Sequence, residues 1–164
     1  MLHSLLAFFI FQSTVYANYL TQENNYEYSE QWPTNTEIEV RICDWHGSKI
    51  KDQDVIEAVK FWNKKDTYIK IKKLIKVKDC NYQQKRNIIL ISDLQEKIDR
   101  DDEYGMEVTY TKKGTDIITK SYVEINTDNN ISKQRIKRTI FHELGHSLGI
   151  KHCNNCKFDD IMNH

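Results

Sequence analysis

His142, Glu143, His146 and His152 fall in one short run, His142-Glu143-Leu144-Gly145-His146-Ser147-Leu148-Gly149-Ile150-Lys151-His152. Residues four apart on a helix lie about 40° apart around its axis, so His142 and His146 present their rings on one face. Two imidazoles one turn apart can chelate a zinc ion at about 2.0–2.1 Å per nitrogen. Glu143 is not needed as a ligand, and its place beside the first histidine suits a general base. Gly149 can enter the left-handed region, end the helix and turn the chain back, which lets His152 approach the metal from outside. Three nitrogens leave a fourth position for water or substrate, the arrangement of a catalytic zinc rather than a closed structural one. In that arrangement Glu143 takes a proton from the attacking water and passes one to the leaving amine.

These residues need elements to hold them. Ser132 can cap a long helix through Ile136, Ile140, Leu144 and Leu148 that ends at Gly149. Upstream, Glu37–Trp45 alternates, with Ile38, Val40 and Ile42 on one face, and reads as a first strand. Asp52 or Asp54 can cap a helix carrying Val55, Ile56, Val59 and Trp62. Tyr68–Val77 reads as a second strand, with Ile69, Ile71, Ile75 and Val77 facing one way and Lys70, Lys72, Lys76 and Lys78 beyond it the other. Lys73 and Leu74 break that alternation, which predicts a bulge or an end there. Asn87–Ser92 reads as a buried third strand. Glu107–Thr111 and Ile117–Ile125 are two more, joined by the turn Lys112-Lys113-Gly114-Thr115. The order predicts an α+β domain with a mixed sheet, a first backing helix and a second helix bearing the histidines.

The histidine run is similar to the metzincin metallopeptidase motif, His-Glu-x-x-His-x-x-Gly-x-x-His followed by a Met-turn. Asp160-Ile161-Met162-Asn163 resembles that turn, which implies that Met162 is a hydrophobic floor beneath the zinc and not a ligand. Within the clan the chain is most similar to the matrixins. Ala58-Val59-Lys60-Phe61-Trp62-Asn63 resembles their first helix. Tyr104-Gly105-Met106-Glu107-Val108-Thr109-Tyr110 and Tyr122-Val123-Glu124-Ile125-Asn126 resemble the two strands before their active-site helix. The resemblance covers roughly 36–164 and is closest over 139–164. It implies a twisted mixed sheet of metzincin-like architecture, one catalytic Zn2+ and hydrolysis of internal bonds in extended protein or peptide substrates. It also implies that the strand at 105–110 is the sheet edge along which the substrate pairs.

The chain departs from that family in several places. No cysteine lies between Ala17 and the first strand to block the zinc, which leaves a carboxylate from Glu23, Glu27 or Glu30 as the substitute. A second zinc site has only His46 and His164 to draw on. The acidic stretch Asp93–Glu103 offers Asp99, Asp101, Asp102 and Glu103 for a structural Ca2+, although a solvated acidic loop is the simpler reading. Matrixins continue beyond the Met-turn into a helix, whereas the sequence ends at His164.

Composition supplies the setting. The apolar run Leu5–Phe11, followed by Val15-Tyr16-Ala17, predicts an export signal at 1–17 with cleavage after Ala17. The run is much shorter than the roughly 20 residues of a membrane span, so no stable membrane insertion is expected after cleavage. Residues 18–35 read as a loose polar segment and 36–164 as the catalytic domain. Four cysteines in the exported portion point to two disulfides, with Cys43–Cys80 and Cys153–Cys156 preferred among three pairings. A Cys-x-x-Cys redox or zinc pair is the rival reading of Cys153 and Cys156. Twenty-four basic and 24 acidic side chains cancel, which argues against a nucleic-acid partner. A monomeric, secreted protein is expected. Two competing readings remain: a non-catalytic zinc-binding or inhibitory module, which would not require Glu143, and a disulfide-stapled binding module using the lysine strand.

Overall fold

The computed structural model describes residues 28–44, 48–65, 70–78, 80, 86–93, 104–128, 130–153 and 161–162. The export signal, Glu23, Glu27, His46, Asp99, Asp101, Asp102, Glu103, Cys156, Asp160, Asn163 and His164 lie outside them, so the expectations for a leader, a calcium loop and a second zinc site do too.

The fold is α+β. Five strands and two helices follow in the order β1 (Glu37–Cys43), α1 (Asp52–Lys65), β2 (Lys70–Val77), β3 (Ile88–Asp93), β4 (Gly105–Thr111), β5 (Ile118–Ile125) and α2 (Lys133–Ser147). They build one mixed sheet in the order β2-β1-β3-β5-β4. β2, β1, β3 and β5 are parallel neighbours, while β4 runs antiparallel to β5 at the edge. β3, flanked on both sides and buried from Ile88 to Ser92, explains the uninterrupted apolar run there. Ile38, Val40, Ile42, Ile89, Ile91, Val123 and Ile125 pack with Val55, Ala58 and Trp62 of α1 and with Ile136, Ile140 and Leu144 of α2 in one core. The opposite face carries a smaller cluster of Cys43, Ile88 and Leu90.

Three sequence expectations need correction. Asp52 and Asp54 lie inside the first turn of α1 rather than ahead of it. There their carboxylates still favour the helix N-terminus. In β2 the irregularity falls at Lys72, skipped between Ile38↔Ile71 and Glu39↔Lys73. One extra residue reverses the parity of everything after it. Ile71 and Leu74 therefore share the core face, Val77 joins Cys43 and Cys80 on the other, and the lysines do not form one basic face. Lys73 pairs with Glu39 on one side, and Lys76 with Asp44 and Asp52 on the other.

The third correction concerns the loose segment. Residues 28–32, within it, are tied to the fold by two isolated bridges, Tyr28↔Ile150 and Gln31↔Ile117, and Trp32 is only 5% exposed. Cys43 and Cys80 are disulfide-bonded across the end of the β1–β2 pair, as preferred. Cys153 is disulfide-bonded as well, and its expected partner lies outside the described residues.

Candidate metal centre

α2 begins as its sequence requires: the Ser132 hydroxyl accepts from Arg135 N–H at 3.2 Å. It ends with Leu148 as the cap and Gly149 at φ +87°. Ile150 N–H donates to Gly145 C=O at 3.2 Å and Gly149 N–H to His146 C=O at 2.7 Å. These paired bonds form a Schellman motif, which satisfies carbonyls the helix would otherwise leave open. Glycine is required twice over at 149. The angle disfavours any Cβ, and such a Cβ would lie 2.0 Å from Glu30 C=O.

The turn delivers His152 to the pair on α2. Nε2 of His142 lies 3.0 Å from Nε2 of His152 and 3.1 Å from that of His146, and the remaining side of the triangle is 3.1 Å. His142 Nδ1–H donates to Ile161 C=O and His146 Nδ1–H to Ile150 C=O, both at 2.7 Å. With the Nδ1 protons so engaged, the Nε2 lone pairs of these two rings point at one another and at His152. Convergent lone pairs repel unless a cation lies among them. The described residues therefore fit a divalent ion of the kind imidazole prefers, at about 2.0–2.1 Å from each nitrogen for zinc. The three residues are also the one metal-capable group among the described residues.

Met162 is fully buried, and its carbonyl accepts from Cys153 N–H, next to His152, at 3.0 Å. A Cβ on Gly145 would stand 2.6 Å from Met162 Sδ and 2.7 Å from Trp62 Cζ2, so this glycine lets α2 sit directly on both. Trp62 Nε1–H donates to Phe141 C=O at 2.8 Å, locking α1 against the turn that carries His142. Glu143 is 8% exposed and lies under the edge strand; a Cβ on Gly105 of β4 would come within 3.0 Å of its Cγ.

A cavity of about 530 Å³ opens beside the histidines, lined by Ser29 and Glu30, by Glu107 and Thr109 of β4, and by His146 and Ile150–His152. Ser121 Oγ and Thr109 Oγ1 both donate to Glu107 Oε1, the former at 2.5 Å, and Ser121 also meets Ser147 Oγ at 3.0 Å. Burial pushes the Glu107 carboxyl above its usual range; the two hydroxyls oppose this and the nearby Glu30 charge adds to it. Glu30, one of three carboxylates considered as a substitute latch, thus lines the cavity that His146 and His152 enter.

The ring nitrogens of His142, His146 and His152 are therefore gathered at one place; Glu143 shares their helix, Met162 packs against the Gly145 position of that helix, and Cys43 and Cys80 belong to a separate cluster. Sequence reading missed Ser29, Trp32, Gly105 and Glu107. Gly145 carried one signal: a glycine inside a helix costs about 1 kcal/mol against alanine, which marks a close approach. Comparison with the models of known protein families finds no match, and none of the curated proteins searched matches the chain.

Proposed function

We propose that this protein is a secreted zinc-dependent endopeptidase of metzincin-like, matrixin-like type, which cuts internal bonds of extended protein substrates. The observation that carries the reading is the convergence of three imidazole Nε2 atoms within 3.1 Å of one another, with Glu143 adjacent on the same helix. Metal binding alone gives no reason for that carboxylate.

His142, His146 and His152 would hold the ion, and Met162 would serve as the hydrophobic floor that the family resemblance implies. When bound, zinc supplies Lewis acidity that polarises the scissile carbonyl and acidifies water. Glu143 accepts a proton from the water as its oxygen bonds to the carbonyl carbon. As the carbon–nitrogen bond breaks, the same proton passes to the departing amine.

β4 offers the substrate a place to lie. Asn126 N–H donates to Tyr104 C=O, so in this antiparallel register residues 106, 108 and 110 bond inward to β5. Gly105, Glu107 and Thr109 then turn their backbone groups to the free edge. A peptide added there is read through its backbone, consistent with action on extended chains.

The test is the full chain expressed for export, assayed for zinc and for cleavage of an unstructured protein, beside Glu143→Ala. The expectation is one zinc per chain in both and a fall in cleavage of about 10²–10⁴-fold in the variant. Equal zinc with no cleavage by either would leave only a metal-binding module. No zinc in the wild type would refute the ligand assignment.

A further inference from the structure

We infer that residues 28–32 form a brace that positions His146 and His152 for the metal, so that zinc affinity depends on a segment more than a hundred residues away in sequence. This rests on the reading of the three histidines as a zinc site.

The segment is fastened at two ends. Toward the sheet, Gln31 N–H donates to Asp116 C=O and its carbonyl accepts from Ile118 N–H, both at 2.8 Å. Toward the helix, Ser29 N–H donates to Gly149 C=O at 2.9 Å, with Ser29 Oγ at 3.4 Å from the same oxygen, and Tyr28 bridges Ile150. Between them the buried Trp32 Nε1–H donates to Ser147 C=O at 2.9 Å. The brace therefore holds Ser147, Gly149 and Ile150, which together form the turn between the second and third histidines.

Two of these contacts, at Gly149 and Ile150, bear on a ligand. Gly149 reverses the chain toward His152, and glycine is the residue least able to hold one backbone conformation unaided. The Ser29 bond and the close approach of the Glu30 carbonyl hold it from outside. Ile150 C=O, which accepts from His146 Nδ1–H, belongs to the residue that Tyr28 pairs with. Groups bonded directly to a ligand ring, as the Ile150 carbonyl is to His146, fix ring orientation and typically contribute 10–100-fold to metal affinity, and the brace holds the backbone that carries that carbonyl.

Two full-length variants test this. Ser29→Pro removes the N–H and hydroxyl that reach Gly149, and Trp32→Phe keeps an aromatic ring but removes the donor to Ser147. Zinc affinity is measured by competition with a chelator, and coordination by the visible spectrum of the cobalt-substituted protein. Each variant is expected to bind zinc about 10–100-fold more weakly, with an altered cobalt spectrum. In a His152→Ala background the further loss from Ser29→Pro should shrink, because both changes act on the same ligand. A lower melting temperature of the metal-free protein with unchanged zinc affinity would show a purely structural role and overturn the brace. So would full additivity with His152→Ala. Tight wild-type binding with unaffected variants refutes the brace alone, whereas no wild-type binding refutes the zinc reading with it. Should Ser29→Pro fail to fold, Trp32→Phe carries the same measurements.

Discussion

At one edge of the sheet β2 presents Lys70, Lys72, Lys73 and Lys76, and at the other β4 presents Gly105-Met106-Glu107-Val108-Thr109-Tyr110-Thr111. Lys72 pairs with Glu37, Lys73 with Glu39, and Lys76 with Asp44 and Asp52, and a bulge at Lys72 disrupts the regular ladder. Charges and bulges are the usual means of keeping a sheet edge from pairing with another chain. Among the described residues β4 carries no lysine, and the one register shift of its ladder falls at its end, between Tyr110 and Thr111. Its single charged side chain, Glu107, turns toward Ser121 and Thr109. The two edges of one sheet thus differ in charge and in where the ladder is interrupted, and the one without lysine pairs is the one beside the histidines.

The difference can be attacked first at the metal end. Gly149→Ala forces a Cβ into the left-handed region, at about 1–2 kcal/mol, and drives it into the Glu30 carbonyl 2.0 Å away. The expected result is at least about a hundredfold loss of zinc affinity by chelator competition. Amide exchange should remain slow in β1, far from the turn, so that only the site side is damaged.

Thr109→Pro should come next. It removes one outward N–H from β4 without touching the bonds to β5, a substitution edge strands tolerate. Losing one backbone hydrogen bond to substrate predicts about a tenfold fall in kcat/KM. Thr109→Ala, which keeps the N–H, should be close to wild type; equal losses in both would mean that substrate does not pair there. At the other edge, Lys73→Ala should leave cleavage unchanged and cost at most about 1 kcal/mol in urea unfolding, since the pair it breaks with Glu39 is partly exposed.

The smallest expected effects are opposite in sign at the two sides. For Glu39, burial pushes the carboxyl up, but hydrogen bonds and charge from Lys73 and Arg41 prevail and hold it below the usual range. Its stabilisation is present above the unfolded-state value and lost as pH falls through the lowered native value. Glu107 is raised by burial, so its contribution is present at low pH and lost as pH rises through the raised native value. At neutral pH, Glu39→Gln should lower the urea midpoint of the metal-free protein and Glu107→Gln should raise it. Shifts of the same sign would end the contrast.

Much of this protein is decided by its sequence at short range. The 3.6-residue period aligns His142 with His146, Ser132 and Gly149 set the limits of α2, and the unbroken Ile88–Ile91 run marks a central strand. In each case the physical cause, a periodicity or a cap, operates within a few residues. Tertiary structure decided the rest. The bulge at Lys72 is visible only against β1, because it is a property of pairing, and it undid the expected lysine face. Glu107 became distinctive through burial beside Ser121 and Thr109, and Gly145 through the approach of Met162 and Trp62. Trp32 gave no period in a polar stretch, yet it caps the last turn of the histidine helix. The sequence by itself determined which residues can hold a metal. How firmly the third of them is held depends on contacts between segments far apart in the chain, which no local pattern encodes.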